Sequence, residues 1–140
     1  MNVIVDANIV VKWFIAEEDS DEALALRLRN DLAAPDVMLI EYRNALLNKV
    51  RRGAISIEEA RRAEREIDGV TVTIIPTAPL LEQAFKIAID LSEPIYDCIY
   101  LAVAVATDRV LVTADERFAA KVTASRINPG RIALLSSLRT

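Results

Sequence analysis

The feature that most constrains this 140-residue chain is a set of very short aliphatic runs separated by helix-length segments. Val3-Ile4-Val5 and Val110-Leu111-Val112 carry apolar side chains at consecutive positions. A strand with one face in water would alternate apolar and polar residues, so these runs must be covered on both faces. Further runs at 32–35, 71–75 and 132–135 add three expected strands, the second of them β-branched throughout. Short buried strands that alternate with helices give an α/β fold, with a mostly parallel sheet covered on both sides.

Helices are expected at 8–15, 19–31, 37–52, 56–68, 79–91, 95–107 and 116–122. Asn8 reads as the N-cap of the first. In the second, Ala23, Leu24 and Leu28, with Leu32 beyond them, form one loose apolar stripe. Gly53 stops the third at its C′ position. Ser56-Ile57-Glu58-Glu59 is a capping box that opens the fourth, and Pro79 stands at the start of the fifth, where its missing N–H costs least. The sixth is apolar almost all round and should be buried. Hydrophobic residues make up 53% of the chain and aromatics only 5%, so the core should be mainly aliphatic. Three glycines and five prolines leave little room for linkers, and residues 1–140 are read as one domain.

The chain has no histidine and one cysteine, Cys98. A Ser-His-Asp triad, a His-containing zinc site, an all-cysteine zinc site and an internal disulfide are therefore excluded. Chemistry must come from carboxylates, Lys, Arg, hydroxyls or a metal held by oxygen. The longest apolar run, 98–106, is far too short for a membrane span, and the opening residues do not read as a signal peptide. A cytoplasmic protein with no membrane partner is expected. The net charge of −4 argues weakly against general nucleic-acid binding but leaves room for a local basic face.

Four acids stand where acids are costly or useful. Asp6 follows the first strand and Asp115 the fourth, at the carboxyl ends where parallel sheets bind ligands. Both also read as turn or cap residues. Glu41 shares a helix face with Val37, Met38 and Ala45, although an exposed helical Glu is the ordinary case. Asp97 is the only charged residue between Pro94 and Asp108 and opens the most apolar helix. The helix dipole favours an acid there, yet burial demands a partner. Gathered within about 5 Å, such groups repel by roughly 3 kcal/mol per pair at an effective dielectric near 20. Protons or a hard divalent cation must relieve that. Oxygen ligands suit Mg²⁺ or Mn²⁺.

With these residues in place, the chain resembles the PIN-domain ribonucleases of the VapC toxin type. Val3-Ile4-Val5-Asp6-Ala7-Asn8 with Val11-Lys12-Trp13-Phe14 resembles their opening motif. Pro35-Asp36 through Glu41 with Asn44-Ala45-Leu46 resembles the second. Pro94-Ile95-Tyr96-Asp97 with Tyr100-Leu101-Ala102 resembles the third, and Leu111-Val112-Thr113-Ala114-Asp115 with Phe118 the fourth. Each motif alone is weak; four in order at suitable spacing are specific, and they span nearly the whole chain. The resemblance implies a three-layer α/β/α sandwich with a central parallel sheet. It implies an acidic set of Asp6, Glu41, Asp97 and Asp115, with Asn8 and Thr113 as polar neighbours, and endonucleolytic cleavage of RNA with Mg²⁺, or Mn²⁺ in its place. It also implies a homodimer and a small cognate antitoxin. Cys98 departs from the smaller residue expected there, which bears on packing more than on chemistry.

On this reading Asp6, Asp97 and Asp115 hold one or two Mg²⁺, while Glu41 holds a water or acts as general base. A non-catalytic scaffold of the same fold that binds RNA or protein is the alternative. A receiver-type signalling domain lacks its markers, since Pro76-Thr77 and Ala114-Asp115 stand where an acceptor Asp and a Lys would be needed. A flap nuclease of related fold would normally carry larger insertions. Arg43, Lys49, Arg51, Arg52, Arg61, Arg62 and Arg65 are either a solvated face or phosphate contacts. Trp13 and Phe14 are core or a partner contact, Tyr96 and Tyr100 structural, and Cys98 a buried inert thiol.

Overall fold

Val3, Ile4 and Val5 are completely buried, and the strand they form is the middle of the sheet. The computed structural model describes residues 1–127 and 129–138. Its strands are β1 (Asn2–Val5), β2 (Asp31–Pro35), β3 (Thr73–Ile75), β4 (Val110–Thr113) and β5 (Ile132–Leu134), in the order β3-β2-β1-β4-β5. Every pairing is parallel. Helices α1 (Ala7–Phe14), α2 (Ser20–Arg29), α3 (Met38–Arg51), α4 (Ile57–Glu66), α5 (Leu81–Leu91), α6 (Ile95–Ala106) and α7 (Glu116–Thr123) flank it in a three-layer α/β/α arrangement. A parallel sheet with both faces covered is what the unbroken aliphatic runs require. Among the described residues no helix is long and apolar enough to cross a membrane.

Two local features fix the frame around the sheet. α6 packs against β1, β2 and β4 and buries seven consecutive residues, Cys98 to Ala104. A helix in that position must be apolar on most of its circumference. α3 turns Met38, Tyr42 and Leu46 inward at four-residue spacing, and the buried Tyr42 hydroxyl donates to the Ala63 carbonyl at 2.7 Å, fastening α3 to α4. The capping box at Ser56 and Glu59 forms as the sequence indicates. Gly53 sits at φ +76°, a left-handed conformation that favours glycine after a helix.

Several sequence expectations need correction. Asn8 is not the cap of α1. Asp6 is extended, with φ −89° and ψ 171°, and its side chain accepts from the Ile9 N–H, so the helix starts at Ala7 and Asn8 is already its second residue. Of the expected stripe on α2, only Ala23 and, beyond the helix in β2, Leu32 face the core. Leu28 is 84% exposed and Leu24 is 38% exposed, while Ala23 and Leu26 are buried. The orientation of α2 follows from Trp13, whose indole N–H donates to the Ala23 carbonyl at 2.8 Å and draws that side of the helix onto α1. The 71–75 run enters the sheet only at Thr73, where it meets Ala33. Pro79 lies in a 3₁₀ turn, Ala78–Leu80, that precedes α5.

The core assignment makes a simple contrast. Leu101→Ala, at a fully buried position of α6, should lower unfolding free energy by about 2–5 kcal/mol. Leu28→Ala should change it by no more than about 0.5 kcal/mol. Urea melts of the two variants read this difference, and equal losses would contradict the stated orientation of α2.

Candidate active site

β1 and β4 are neighbours, with Val5 opposite Val112, so the residues that follow them emerge side by side. Asp6 and Thr113 meet there. Thr113 Oγ1 donates to Asp6 Oδ2 at 2.9 Å, and Asp6 Oδ1 accepts the Ile9 N–H at 2.9 Å. Thr113, 2% exposed, also accepts the Asp115 N–H at 3.1 Å. Asp115 in turn caps α7 by accepting the Phe118 N–H at 2.9 Å. The cap readings of Asp6 and Asp115 are therefore correct, and each cap also faces an open cleft.

That cleft has a volume of about 220 Å³ and is walled by Asp6, Glu41, Asp97 and Asp115 together with Asn8, Asn44, Asn48, Tyr100 and Thr113. The four acids come from β1's end, the first turn of α3, the first turn of α6 and β4's end. Among the described residues no lysine or arginine lines it. All six residues singled out from the sequence thus share one cleft.

The electrostatics follow from that composition. Asp6 is raised from 3.8 to about 6, first by burial and further by the Asp97 charge, against the lowering effect of hydrogen bonds from Ile9 and Thr113. Burial also raises Glu41; the Tyr100 hydroxyl opposes this, while Asp97 and Asp6 add to it. Asp97 is raised by burial, then by Asp115 and Glu93, with Arg117 pulling the other way. Each of these three carboxylates is held above its ordinary value, and in each a second carboxylate contributes. The Cys98 thiol next door is pushed up to about 11 by burial, then by Asp97 and Glu93, as befits an inert thiol.

Hard oxygen donors, mutual repulsion and no internal cation fit a divalent metal in kind. Among the described residues, however, no three acidic, His or Cys side chains are gathered tightly enough to hold one ion. Asp6 and Asp115 are turned to their helix caps, and Glu41 Oε1 is engaged by the Tyr100 hydroxyl at 2.8 Å. Closing a ligand shell therefore requires side-chain rotation.

Three cleft residues are not among the site residues expected from the sequence. Tyr100, taken as structural, holds Glu41. Asn44 and Asn48 lie three and seven residues after Glu41, on the same side of α3. That helical spacing was available as a signal.

The family described as PIN domain matches residues 3–122. The chain belongs to the PIN-domain family. Ribonuclease VapC3 of Pyrobaculum aerophilum is 28% identical to it over 124 residues, which span 86% of this chain and 95% of that protein. The fold of this PIN domain is similar to the crystal structure of PAE2754 from Pyrobaculum aerophilum, with a TM-score of 0.71, 23% identity and coverage of 99% of this chain and 86% of that one. VapBC2 from Rickettsia felis, solved bound to a DNA fragment from their promoter, gives a TM-score of 0.63 at 17% identity, covering 96% and 98%.

The raised Asp6 carboxyl predicts a pH dependence for the metal-free PIN domain. The folded form keeps its proton up to about pH 6, whereas the ordinary group releases it near 3.8. Between these values folding takes up a proton, so this contribution to stability is full below the lower value and is lost as pH rises through the upper one. In EDTA-treated protein, Asp6→Asn should gain on wild type by about 1–3 kcal/mol between roughly pH 4 and 7. Denaturant melts at both pH values read this, and a difference independent of pH would contradict it.

Proposed function

We propose that this PIN domain is a Mg²⁺-dependent endoribonuclease, acting as the toxin of a toxin–antitoxin pair. The observation that carries the reading is four carboxylates from four separate elements facing one cleft with no cation among the described residues of its walls. The name of the relative Ribonuclease VapC3 supports the activity, and the likeness to the VapBC2 structure supports a small antitoxin as partner. A homodimer and a cytoplasmic location are part of the same proposal, as is a single PIN domain over residues 1–140.

Asp6, Asp97 and Asp115 would hold the metal. When bound, Mg²⁺ (or Mn²⁺) makes water easier to deprotonate and offsets charge on the phosphoryl and leaving oxygens. Glu41 orients the attacking water and takes its proton. Burial raises its proton affinity, which suits a base in a chain without histidine. Tyr100 fixes Glu41 by one carboxylate oxygen, leaving the other to accept from water. The water oxygen bonds to phosphorus in line, the bond from phosphorus to the 3′ oxygen breaks, and that oxygen takes a proton from solvent. The products carry 5′-phosphate and 3′-hydroxyl ends, and the ribose 2′-hydroxyl takes no part. Thr113 holds Asp6, and Asn8 supplies a neutral polar wall.

The second reading is a scaffold that binds RNA or protein without cutting. It is favoured by the carboxylates' failure to converge tightly enough for one ion among the described residues. The two separate cleanly when structured RNAs are incubated with purified protein and Mg²⁺. Cleavage should vanish with EDTA and fall at least about 100-fold in Asp6→Ala or Glu41→Gln. Tyr100→Phe should retain cleavage with kcat reduced roughly tenfold, as for the loss of a residue that orients a working group. Cutting that persists in both EDTA and Asp6→Ala would sink the nuclease reading.

A further inference from the structure

A second cleft adjoins the acidic one and has the opposite character. The two share Asn8, Ala45, Asn48 and Asp115, and the second, about 430 Å³ in volume, adds Lys12, Lys49 and Arg52. Glu17, from the connection between α1 and α2, reaches into it and bridges both lysines. Lys12 Nζ lies 3.3 Å from Glu17 Oε1, and Lys49 Nζ contacts Oε2. The side chains of Lys12, Lys49 and Glu17 are only 12%, 14% and 24% exposed. Arg52 stands exposed at the same cleft.

We propose that this second cleft seats the RNA phosphate next to the one being cut, and that Glu17 occupies the seat when no RNA is bound. The inference rests on the nuclease reading above. A strand with one phosphate among the four acids leads its neighbour out across the shared wall of Asn8, Asn48 and Asp115, beyond which stand three cations. Ammonium groups bind phosphate as point charges and need no fixed fork geometry. A carboxylate that bridges two ammonium groups offers them the acceptor oxygens a phosphate would offer. Exchanging one for the other leaves neither half-buried lysine without a partner, which would be costly. An acidic protein segment has the same carboxylate chemistry, but it gives no reason for the seat to open into an acidic cleft. Continuity with that cleft favours RNA.

The test measures anisotropy of a short fluorescein-labelled single-stranded RNA across a salt series, with Mg²⁺. An Asp97→Asn background prevents cleavage during binding, and parallel cleavage assays use proteins with Asp97 intact. Lys12→Gln and Lys49→Gln should each weaken binding roughly fourfold near physiological salt and flatten the plot of log affinity against log salt by about 0.7. Glu17→Gln should act in the opposite direction, tightening binding and steepening the slope. Because a damaged fold does not tighten binding, this variant separates the proposal from loss of structure. Lys86→Gln, on exposed α5 and paired with Glu82, should change neither quantity. Unchanged slopes in all three cleft variants of a protein that still cuts RNA would overturn the phosphate seat and leave the nuclease standing. The expected slope changes in a protein that cuts no RNA would leave phosphate binding in the second cleft but overturn the nuclease reading, and with it the placing of that phosphate beside one being cut. Binding of a polyglutamate peptide at Lys12 and Lys49, without RNA binding, would overturn the proposal in favour of an acidic protein segment.

Discussion

The hydrogen bond from Thr113 to Asp6 ties the ends of two neighbouring strands, and the geometry of the cleft depends on it. Asp6 is committed twice, to the first turn of α1 and to β4. Thr113 is likewise committed twice, to Asp6 and to the N–H of Asp115. Through this short chain of bonds the register of β1 against β4 becomes the relative position of two acids and two helix starts. The capping of α1 and α7 is thus inseparable from the placement of the site. Asp6 as an N-cap stabilises the helix in the ordinary way, and as a cleft wall it brings a carboxylate where burial opposes its charge.

That opposition is general in the cleft. Burial is the leading cause of the raised values of Asp6, Glu41 and Asp97, and neighbouring acids add to it in each case. Such an arrangement works against folding at neutral pH unless hydrogen bonds or a cation relieve it. The structure supplies part of the relief through N–H and hydroxyl donors, namely Ile9, Thr113 and Tyr100. Proteins hold such costly groupings mainly where they bind or react, which is why the cleft outranks the chain's many surface acids as the candidate functional centre.

Much of this was legible in the sequence, for identifiable reasons. Consecutive aliphatic residues at 3–5 and 110–112 dictate a sheet covered on both sides, and the carboxyl-end rule then directs attention to Asp6 and Asp115. Asp97 stood out because its helix is otherwise apolar, and Glu41 because its neighbours point inward. Tyr100 reads as structural from sequence, and its bond to Glu41 is not legible there, because an almost uniformly apolar helix has no pattern from which to say which side meets α3. Leu24 and Leu28 miss the core because the facing of α2 is set by an indole bond to a backbone carbonyl, Trp13 to Ala23, which hydropathy does not encode. The Glu17 bridge joins Lys12 and Lys49 across a turn and a helix–strand–helix span. Only the folded chain brings those residues together.

The net charge of −4 then has a different meaning from the one composition suggests. Without the four cleft acids the remaining chain is formally neutral, yet its charges are sorted in space. α3 shows the sorting within one helix. Glu41 lies in its first turn, where the dipole favours an acid, and Lys49 and Arg51 lie in its last turn, where it favours bases. Between them Asn44 and Asn48 line the acidic cleft, and Asn48 also lines the basic one. A single helix therefore carries a polar track from a place suited to a metal to a place suited to a phosphate. Local potential, more than the sum of charges, governs where a polyanion settles. On the proposed function, an acidic chain built in this way has no need of a basic surface at large to hold RNA.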